Sequence, residues 1–308
     1  MQIMTFNEEL KVKVEYIESV LEKYLPQEEG YAKTVIEAMN YSIRSGGKRI
    51  RPLLMFEAYR LFGGEDDVIE PFMAAIEMIH TYSLVHDDLP CMDDDDYRRG
   101  RRTTHKVYGE AMAVLAGDGL LNYAFETASR AFDKLNVLQS NDYDAKTIGR
   151  AIGILASKSG IYGMIGGQCA DIEAEGKDQE KVDEKLIRYI HEHKTAALIQ
   201  NALMIGAVLA GANEVDLAKI ERVGYNVGLA FQIQDDILDV AGTFEQLGKP
   251  IGSDEKNQKT TYVTINGLNK SKADVEALSE GAVNILKDMG DGNEFLEELI
   301  IYLISRTK

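Results

Sequence analysis

Two aspartate clusters stand in apolar, helix-like sequence, where carboxylates are least expected. The first runs from Asp87 to Asp93 and the second from Asp235 to Asp239. A carboxylate withdrawn from water costs free energy unless it is paired with a cation or binds a metal. Both clusters are acidic and cannot neutralise each other, so we expect a cation between them. Mg²⁺ fits this setting, because it takes carboxylate oxygens and keeps water and substrate phosphates as its other ligands.

The second cluster has the spacing of a single helical face. If residues 228–240 form a helix, Gln232, Asp235, Asp236 and Asp239 stand on one stripe. Like charges four residues apart destabilise a helix that has no counter-ion. The stripe therefore favours a cation site, and the alternative is a solvated face near a helix end.

The first cluster needs a break in the helix to act as one site. Asp87 and Asp93 are six residues apart, which on a regular helix turns them about 240° from each other. Pro90 removes a helical hydrogen bond and disfavours helix at the residue before it. We therefore expect the chain to loop out and bring Asp93 round towards Asp87. Asp94–Asp96 are predicted to be solvated or to be counter-charges for Arg98, Arg99, Arg101 and Arg102.

Basic residues form a second kind of candidate site. Gly46–Pro52 joins two predicted helices and carries Lys48 and Arg51 ahead of a helix N-terminus, an arrangement that suits an anion. It is not a nucleotide-binding P-loop, because the Gly-x4-Gly-Lys-Ser/Thr spacing is absent. His80 shares a predicted helical stripe with Asp87, which leaves a structural role and a role in the site equally open.

Further cations lie close to the aspartate clusters in sequence. Arg98 and Arg99 follow the first cluster, Lys194 opens an apolar stretch, and Lys249 and Lys259 follow the second cluster. Each alone is by default a solvated charge. Together they suggest two ways of holding phosphate, through metal ions bridged by carboxylates and directly through Lys and Arg. These two ways of holding phosphate, together with the apolar helical interior, predict a protein that binds phosphorylated apolar molecules.

Composition excludes several classes of function. The chain has 308 residues, of which 28% are charged and 45% hydrophobic, and its net charge is −17. This composition is globular, and its acidity argues against nucleic acid or an anionic membrane surface as a partner. The two cysteines, Cys91 and Cys169, lack zinc-site spacing, and we see no signal peptide. We therefore expect free thiols and a cytoplasmic protein.

Glycine and proline separate long helical stretches, which predicts an all-α protein with a single domain over residues 1–308. The apolar stretch 195–212 is long enough to suggest a membrane span. Gln200 and Asn201 interrupt it, so we interpret it as a buried core helix. Helices are predicted over 6–25, 31–43, 51–63, from 71 through 79 towards the first cluster, and over 109–136, 145–165, 181–212, 214–241, 271–289 and 292–305.

The order and content of these motifs resemble the trans-isoprenyl diphosphate synthases, most closely the bacterial farnesyl diphosphate synthases. The likeness runs nearly end to end. One Asp-Asp-x-x-Asp motif alone is weak, since terpene cyclases have one too, but two together with these basic motifs are specific. The matching segments are Gly46–Pro52, His86–Asp93, Arg98–Gly100, Gly166–Asp171, His193–Thr195, Phe231–Asp239 and Gly248–Pro250.

The resemblance implies an isoprenoid-synthase-type helical bundle around a deep central cavity, a homodimer, and three Mg²⁺ ions that join an allylic diphosphate to both clusters. It implies condensation of that diphosphate with isopentenyl diphosphate. The metal ligands carried over are Asp87, Asp88, Asp93, Asp235 and Asp239.

The same resemblance implies two sets of diphosphate ligands. The allylic diphosphate would be held by Arg98, Lys194, Thr195, Gln232, Lys249 and Lys259. The diphosphate of isopentenyl diphosphate would be held by Lys48, Arg51, His80 and Arg99, and Arg306 and Lys308 loosely match a segment that closes over it. The residues expected to act on the breaking bond are Asp87, Asp88, Asp93, Arg98, Lys194 and Asp235.

Tyr82 and its neighbour Ser83 bear on product length. Tyr82 lies five residues before Asp87, roughly 7.5 Å back along a helix axis, where a growing tail would meet its ring. In the family an aromatic residue here matches a floor that stops growth at fifteen carbons, which implies farnesyl diphosphate. A geranylgeranyl or longer-chain synthase is the alternative. A non-catalytic partner subunit is a third interpretation, although such subunits typically lose one aspartate motif.

Overall fold

The computed structural model describes residues 4–135, 145–175, 182–241, 260–289 and 292–304, and within them one two-stranded hairpin interrupts an otherwise helical fold. The all-α prediction is confirmed. The first helices are α1 (Phe6–Tyr24), α2 (Lys33–Ile43), α3 (Ile50–Leu61), α4 (Glu70–Asp87), α5 (Thr104–Tyr108), α6 (Glu110–Ser129) and α7 (Ala131–Lys134). The next are α8 (Ala145–Ser159), α9 (Met164–Glu175), α10 (Glu184–Ile190), α11 (Ala197–Leu209) and α12 (Glu214–Ala241). The last are α13 (Tyr262–Asn266), α14 (Leu268–Lys287) and α15 (Glu294–Ile304).

Helix α11 is the centre of the fold, because all 13 of its residues are buried. It packs against α3, α8 and α12. The interpretation of 195–212 as a core helix is therefore confirmed over Ala197–Leu209. None of the helices in the described ranges has the length and apolarity that a membrane crossing requires.

Helix α4 carries the first aspartate cluster, and α6 fixes its position. Every residue of α4 from Pro71 to Ile79 is buried. The facing side of α6 is lined by small buried residues, among them Ala113, Ala116 and Gly117. Gly117 leaves room for the ring of His86, since a side chain there would overlap it. The last turn of α4 is thus packed directly on α6.

The predicted helix 145–165 is wrong in its extent. The chain forms two helices there, α8 and α9, separated by a turn over residues 160–163. Gly163 packs so closely on the backbone of Lys158 that a side chain could not fit. The apolar periodicity runs through this turn, which is why the sequence pattern did not reveal it.

Two further local structures were not predicted. After the first cluster, β1 (Tyr97–Arg98) and β2 (Arg101–Arg102) form a hairpin whose turn residues, Arg99 and Gly100, have φ of 53° and 76°. Between α10 and α11, His191–Ala196 form a π-helical turn. Both lie at segments that the motifs had marked as functional.

Replacing Gly206 with alanine should lower the free energy of unfolding by about 2 kcal/mol, because overpacking forces α11 away from α3. An added Cβ at Gly206 would meet the backbone of Met55 and Tyr59 in α3. Equilibrium unfolding in urea measures the change.

Gly149→Ala in α8 is the matched control. An added Cβ at Gly149 has nothing within 4 Å, so alanine there should leave stability unchanged or raise it by up to about 1 kcal/mol. Equal losses in the two variants would contradict the close crossing of α11 and α3.

Candidate active site

The turn after α4 brings the ends of the first aspartate cluster together. The helix ends at Asp87, and the backbone N–H of Asp93 donates to the Asp87 carbonyl at 2.9 Å. The N–H of Asp94 donates to the Leu89 carbonyl at 3.1 Å. Pro90 lies within this turn, so the expectation that the chain loops out there and returns Asp93 to Asp87 is confirmed.

Asp87 is a carboxylate held in an unfavourable electrostatic environment. Burial raises its pKa to about 6, Lys194 opposes the rise, and the charges of Asp93 and Asp88 add to it. The amide Nε2 of Gln168 donates to Asp87 Oδ1 at 2.9 Å and fixes the direction of the carboxylate. Lys194 and Arg98 offset this only in part, so an added metal cation would further stabilise the charged carboxylate.

Asp88 differs from Asp87 because it has an arginine partner. Its carboxylate is buried and accepts a hydrogen bond of 2.6 Å from Arg98 Nε. Burial raises the pKa of Asp88, and the ion pair with Arg98 opposes that rise. Arg98 is thus seated against the first cluster.

The remaining aspartates of this segment only partly follow the prediction. Asp95 pairs with Arg98 at 3.5 Å, as expected for a counter-charge. Asp96 instead pairs with Lys106 of α5 at 2.6 Å, and Asp94 lies 3.9 Å from the same lysine. Asp94 and Asp96 are exposed, so the solvated alternative holds for them, and the cation near them is Lys106 rather than an arginine because α5 follows the hairpin closely.

The four residues predicted to hold the second diphosphate line one cavity. Its volume is about 510 Å³, and its walls include Lys48, Arg51, His80 and Arg99. The Nε of Arg51 is buried without a hydrogen-bond partner among the described residues. Burial lowers the pKa of Arg51 to about 10, so it stays charged at neutral pH. The cavity therefore presents positive charge to an anion.

His80 enters this cavity as a neutral imidazole. Burial, together with the nearby charges of Arg51 and Arg99, holds its pKa well below the ordinary value. Its role is therefore that of a hydrogen-bonding group among cations. The sequence left open whether His80 is a structural residue or belongs to a site. Its position favours the site, because His80 lines the basic cavity.

Lys194 and Thr195 project from the π turn. Lys194 Nζ pairs with Asp171 at 2.6 Å, and Thr195 Oγ1 donates to Gln232 Oε1 at 2.9 Å. Together with Asp235, these residues border a polar cavity of about 170 Å³. The π turn thus faces the second aspartate cluster directly.

Asp236 has a separate task within the second cluster. Its Oδ2 accepts from the Tyr262 backbone N–H at 2.9 Å and lies 3.6 Å from His191 Nε2. Asp235 lines the polar cavity beside it, and Asp239 is buried one turn further on. The single helical stripe is therefore divided, because Asp236 anchors the chain at the start of α13.

Helix α9 connects the two aspartate clusters, and its polar residues had been assigned no role. Gln168 bonds to Asp87, while Asp171, one turn later, pairs with Lys194. Gly167 lies so close to the backbone of Lys194 that no side chain would fit between the helices. The signal was the three-residue spacing of Gln168 and Asp171, which places both on one face.

The donor set fits magnesium that is completed by a substrate. No three acidic, histidine or cysteine side chains in the described part of the chain converge closely enough to hold a metal alone. Mg²⁺ usually takes one or two carboxylates and fills its octahedron with water and phosphate oxygens. Asp87 and Asp235 are the residues that would hold such an ion, which would supply positive charge next to a bound phosphate group.

Four predicted ligands lie outside the described residues. Lys249 and Lys259 fall in 242–259, and Arg306 and Lys308 fall in 305–308.

Comparison with known proteins decides the family. Residues 32–299 match the family model for polyprenyl synthetase. The chain belongs to the polyprenyl synthetase family. It is 44% identical over 272 residues to the farnesyl diphosphate synthase of Geobacillus stearothermophilus, an alignment that covers 88% of each chain. It is 43% identical over 268 residues to the geranylgeranyl diphosphate synthase of Cyanophora paradoxa, which covers 87% of this chain and 85% of that one.

A solved structure of this family has the same fold. The geranyltransferase of Helicobacter pylori, complexed with magnesium and isoprenyl diphosphate, matches with a TM-score of 0.81 and 31% identity, over 99% of this chain and 98% of that one. The resemblance stated from the motifs is therefore confirmed, and this polyprenyl synthetase is a trans-prenyltransferase. Its relatives make products of more than one length, so the product is a separate question.

Asp87→Asn should stabilise the metal-free protein at pH 8 by about 1 kcal/mol, because it removes a buried, repelled charge. The folded-state pKa of about 6 exceeds the ordinary 3.8, so stability falls as the pH rises through this window and the penalty is complete at pH 8. Thermal unfolding in the presence of a chelator measures the gain.

The same variant should lose the response to metal. In the unmodified protein, Mg²⁺ with inorganic diphosphate should raise the Tm, because ligands that bind the folded state stabilise it. If Asp87→Asn keeps the full rise, Asp87 does not bind the metal.

Proposed function

We propose that this polyprenyl synthetase condenses isopentenyl diphosphate with dimethylallyl and then geranyl diphosphate to give (E,E)-farnesyl diphosphate. One observation carries the proposal: two adjacent hairpin residues serve two different sites. Arg98 bonds to Asp88 in the first cluster, and Arg99 lines the basic cavity with Lys48 and Arg51. An acidic site and a basic cavity therefore lie side by side, which supports binding of one diphosphate through metal ions and of a second directly through cations.

The acidic site is proposed to hold the allylic diphosphate. Three Mg²⁺ ions, held by the carboxylates of both clusters, would neutralise the charge that develops on the leaving diphosphate. Within the described chain, the remaining proposed contacts are Arg98, Lys194, Thr195 and Gln232. Their preorganised charges favour the state in which the allylic C–O bond breaks.

The basic cavity is proposed to hold the diphosphate of isopentenyl diphosphate without metal. The double bond of isopentenyl diphosphate then attacks the allylic carbocation and forms the new C–C bond. The diphosphate released from the allylic substrate takes up the proton that the condensed product loses. Buried apolar side chains of α4 and α11 would keep water from the cation.

Tyr82 is proposed to set the product at fifteen carbons. Its side chain is buried on α4 and packs edge-on against His86, with ring centroids 5.9 Å apart. His86 is in turn seated on Gly117 of α6. The Tyr82 ring therefore has a rigid backing, which a floor needs. Ser83 donates to the His80 carbonyl at 2.9 Å and lies beside it on the helix.

A geranylgeranyl diphosphate synthase is the second candidate. The similarity to the Cyanophora paradoxa enzyme, at 43% identity, favours it nearly as strongly as the other relative favours the farnesyl product. Tyr82 decides between them in our proposal.

We also propose a cytoplasmic homodimer. Three apolar side chains on α5 and α6, Val107, Val114 and Leu115, are 46%, 42% and 50% exposed. A second copy would cover them. The two cysteines are exposed free thiols, which suits a reducing compartment.

The test of the function is a product assay. The purified protein is incubated with Mg²⁺, labelled isopentenyl diphosphate and either dimethylallyl or geranyl diphosphate, and the dephosphorylated alcohols are sized. We expect farnesol from both. Longer alcohols would leave the elongation chemistry standing and refute the farnesyl product, and no incorporation would refute the enzyme.

Tyr82→Ala should shift the main product from fifteen to twenty or more carbons, because the tail can then grow past the shortened side chain. Tyr82→Phe is the matched control and should keep the fifteen-carbon product. It should also stabilise the protein by up to about 1 kcal/mol, since the buried Tyr82 hydroxyl has no hydrogen-bond partner among the described residues. An unchanged product from Tyr82→Ala would contradict the floor.

Leu115→Glu should convert the dimer to a monomer, because a buried unpaired charge opposes association. Light scattering after size exclusion measures the mass. Val215→Glu is the control, since Val215 is 67% exposed and belongs to α12 rather than to α5 or α6. A dimer that survives Leu115→Glu would place the interface elsewhere.

A further inference from the structure

Arg49 lies in the middle of the basic segment and borders the same cavity, but its side chain is buried in the protein. Its side chain is 2% exposed, and Nη1 donates to Glu77 Oε1 at 2.7 Å. Glu77 is itself 1% exposed and lies one turn before His80 on α4. A fully buried ion pair therefore forms part of the cavity wall, next to the cations Lys48 and Arg51.

The Arg49 guanidinium ties the segment to three helices at once. Besides Glu77 of α4, it bonds to Glu18 of α1 through Nε at 2.7 Å, and its Nη2 donates to the Ile43 carbonyl of α2 at 2.7 Å. The Arg49 backbone is left-handed, with φ of 49°. A non-glycine residue adopts this conformation only where its surroundings hold it there.

The glycines before Arg49 depend on this anchor. Gly46 and Gly47 have φ of 82° and 143°, and the Arg99 guanidinium lies against Gly47 while donating to the Gly46 carbonyl. One side of the loop thus rests on Arg99 of the hairpin and the other on Arg49. Lys48 lies between these two supports.

We propose that Glu77 and Arg49 are positioning residues, whose buried ion pair holds Lys48 and Arg51 at the geometry that binds a metal-free diphosphate. The inference rests on the proposed function and concerns how the binding site for isopentenyl diphosphate is held in shape. Neither residue contacts the diphosphate in this scheme. Their effect passes through the backbone of Gly46–Arg51.

The sign of the effect separates positioning from simple electrostatics. Glu77 is a negative charge beside an anion site, so if charge alone mattered, its removal would strengthen diphosphate binding. If the ion pair holds the loop, the same removal weakens binding. Glu77 also acts on the charges of the cavity, because burial lowers the pKa of Arg51 and Arg99 and the negative charge of Glu77 opposes that fall in both.

The experiment compares Glu77→Gln and the double variant with Arg49→Met and Glu77→Met. The double variant removes the pair without leaving a buried charge alone, so it should fold even if single truncations do not. Both should raise KM for isopentenyl diphosphate at least 10-fold and leave KM for geranyl diphosphate within about 2-fold. The first step is to establish that the unmodified enzyme elongates geranyl diphosphate.

Glu57→Gln is the matched control. Glu57 is also 1% exposed and pairs with Lys13 at 2.6 Å, but it lies on α3 towards α1 and α15. It should lower the Tm by about as much as Glu77→Gln and leave both KM values unchanged.

Each result decides. An unchanged or lowered KM for isopentenyl diphosphate in both Glu77 variants would overturn the positioning role, as would an equal rise for both substrates. A rise in Glu57→Gln as large as in Glu77→Gln would assign the effect to general loss of stability. An inactive unmodified enzyme would refute the proposed function instead. Calorimetric titration with inorganic diphosphate in the absence of Mg²⁺ would then still test the ion pair, because the affinity of the protein for diphosphate should fall at least 10-fold in the variants.

Discussion

Repulsion between carboxylates at the end of α4 is the constraint around which the structure is arranged. Asp87, Asp88 and Asp93 are brought together by a turn, and the burial of Asp88 and partial burial of Asp87 make the repulsion on these two stronger than it would be in water. The protein neutralises this charge only in part. Arg98 serves Asp88 and Lys194 lies near Asp87, which leaves a deficit of positive charge for an added cation.

Close helix packing is what holds these charges in place. Gly117 seats His86 at the end of α4, Gly167 brings α9 onto the π turn, and Gly228 brings α12 onto Ala196 in the same turn. At each of these glycines the backbone of one helix packs directly on a neighbouring segment. The positions of the polar residues are therefore set by how the helices pack. The charged groups are therefore preorganised, which is the condition for strong electrostatic stabilisation.

The sequence predicted those parts of the molecule that follow from local rules. Helical periodicity located the core helix that spans Ala197–Leu209, and Pro90 predicted the turn that returns Asp93 to Asp87. The cations of the basic cavity could be grouped because family motifs name them. All of these are properties of short segments or of known patterns.

Other features depend on which segments become neighbours in space. Asp96 pairs with Lys106, and Asp236 turns to Tyr262, because of the path that the chain takes between them. The role of Gln168 requires α9 to lie across the end of α4, 81 residues away along the chain. The buried pair of Arg49 and Glu77 likewise joins residues 28 positions apart. Charge and periodicity in one dimension do not encode these pairings.

The π turn at His191–Ala196 has a consequence for how this region can change. Such a turn holds one residue more than an α-helical turn would, and each residue of a helix accounts for about 100° of rotation. Deleting one residue would restore a regular helix and rotate α10 against α11. The burial of α11 fixes one half of this helix, and the packing of α10 on α9 fixes the other. The region can therefore tolerate substitutions more readily than insertions or deletions. What the packing fixes is the rotation of α10 relative to α11, not the identity of each residue.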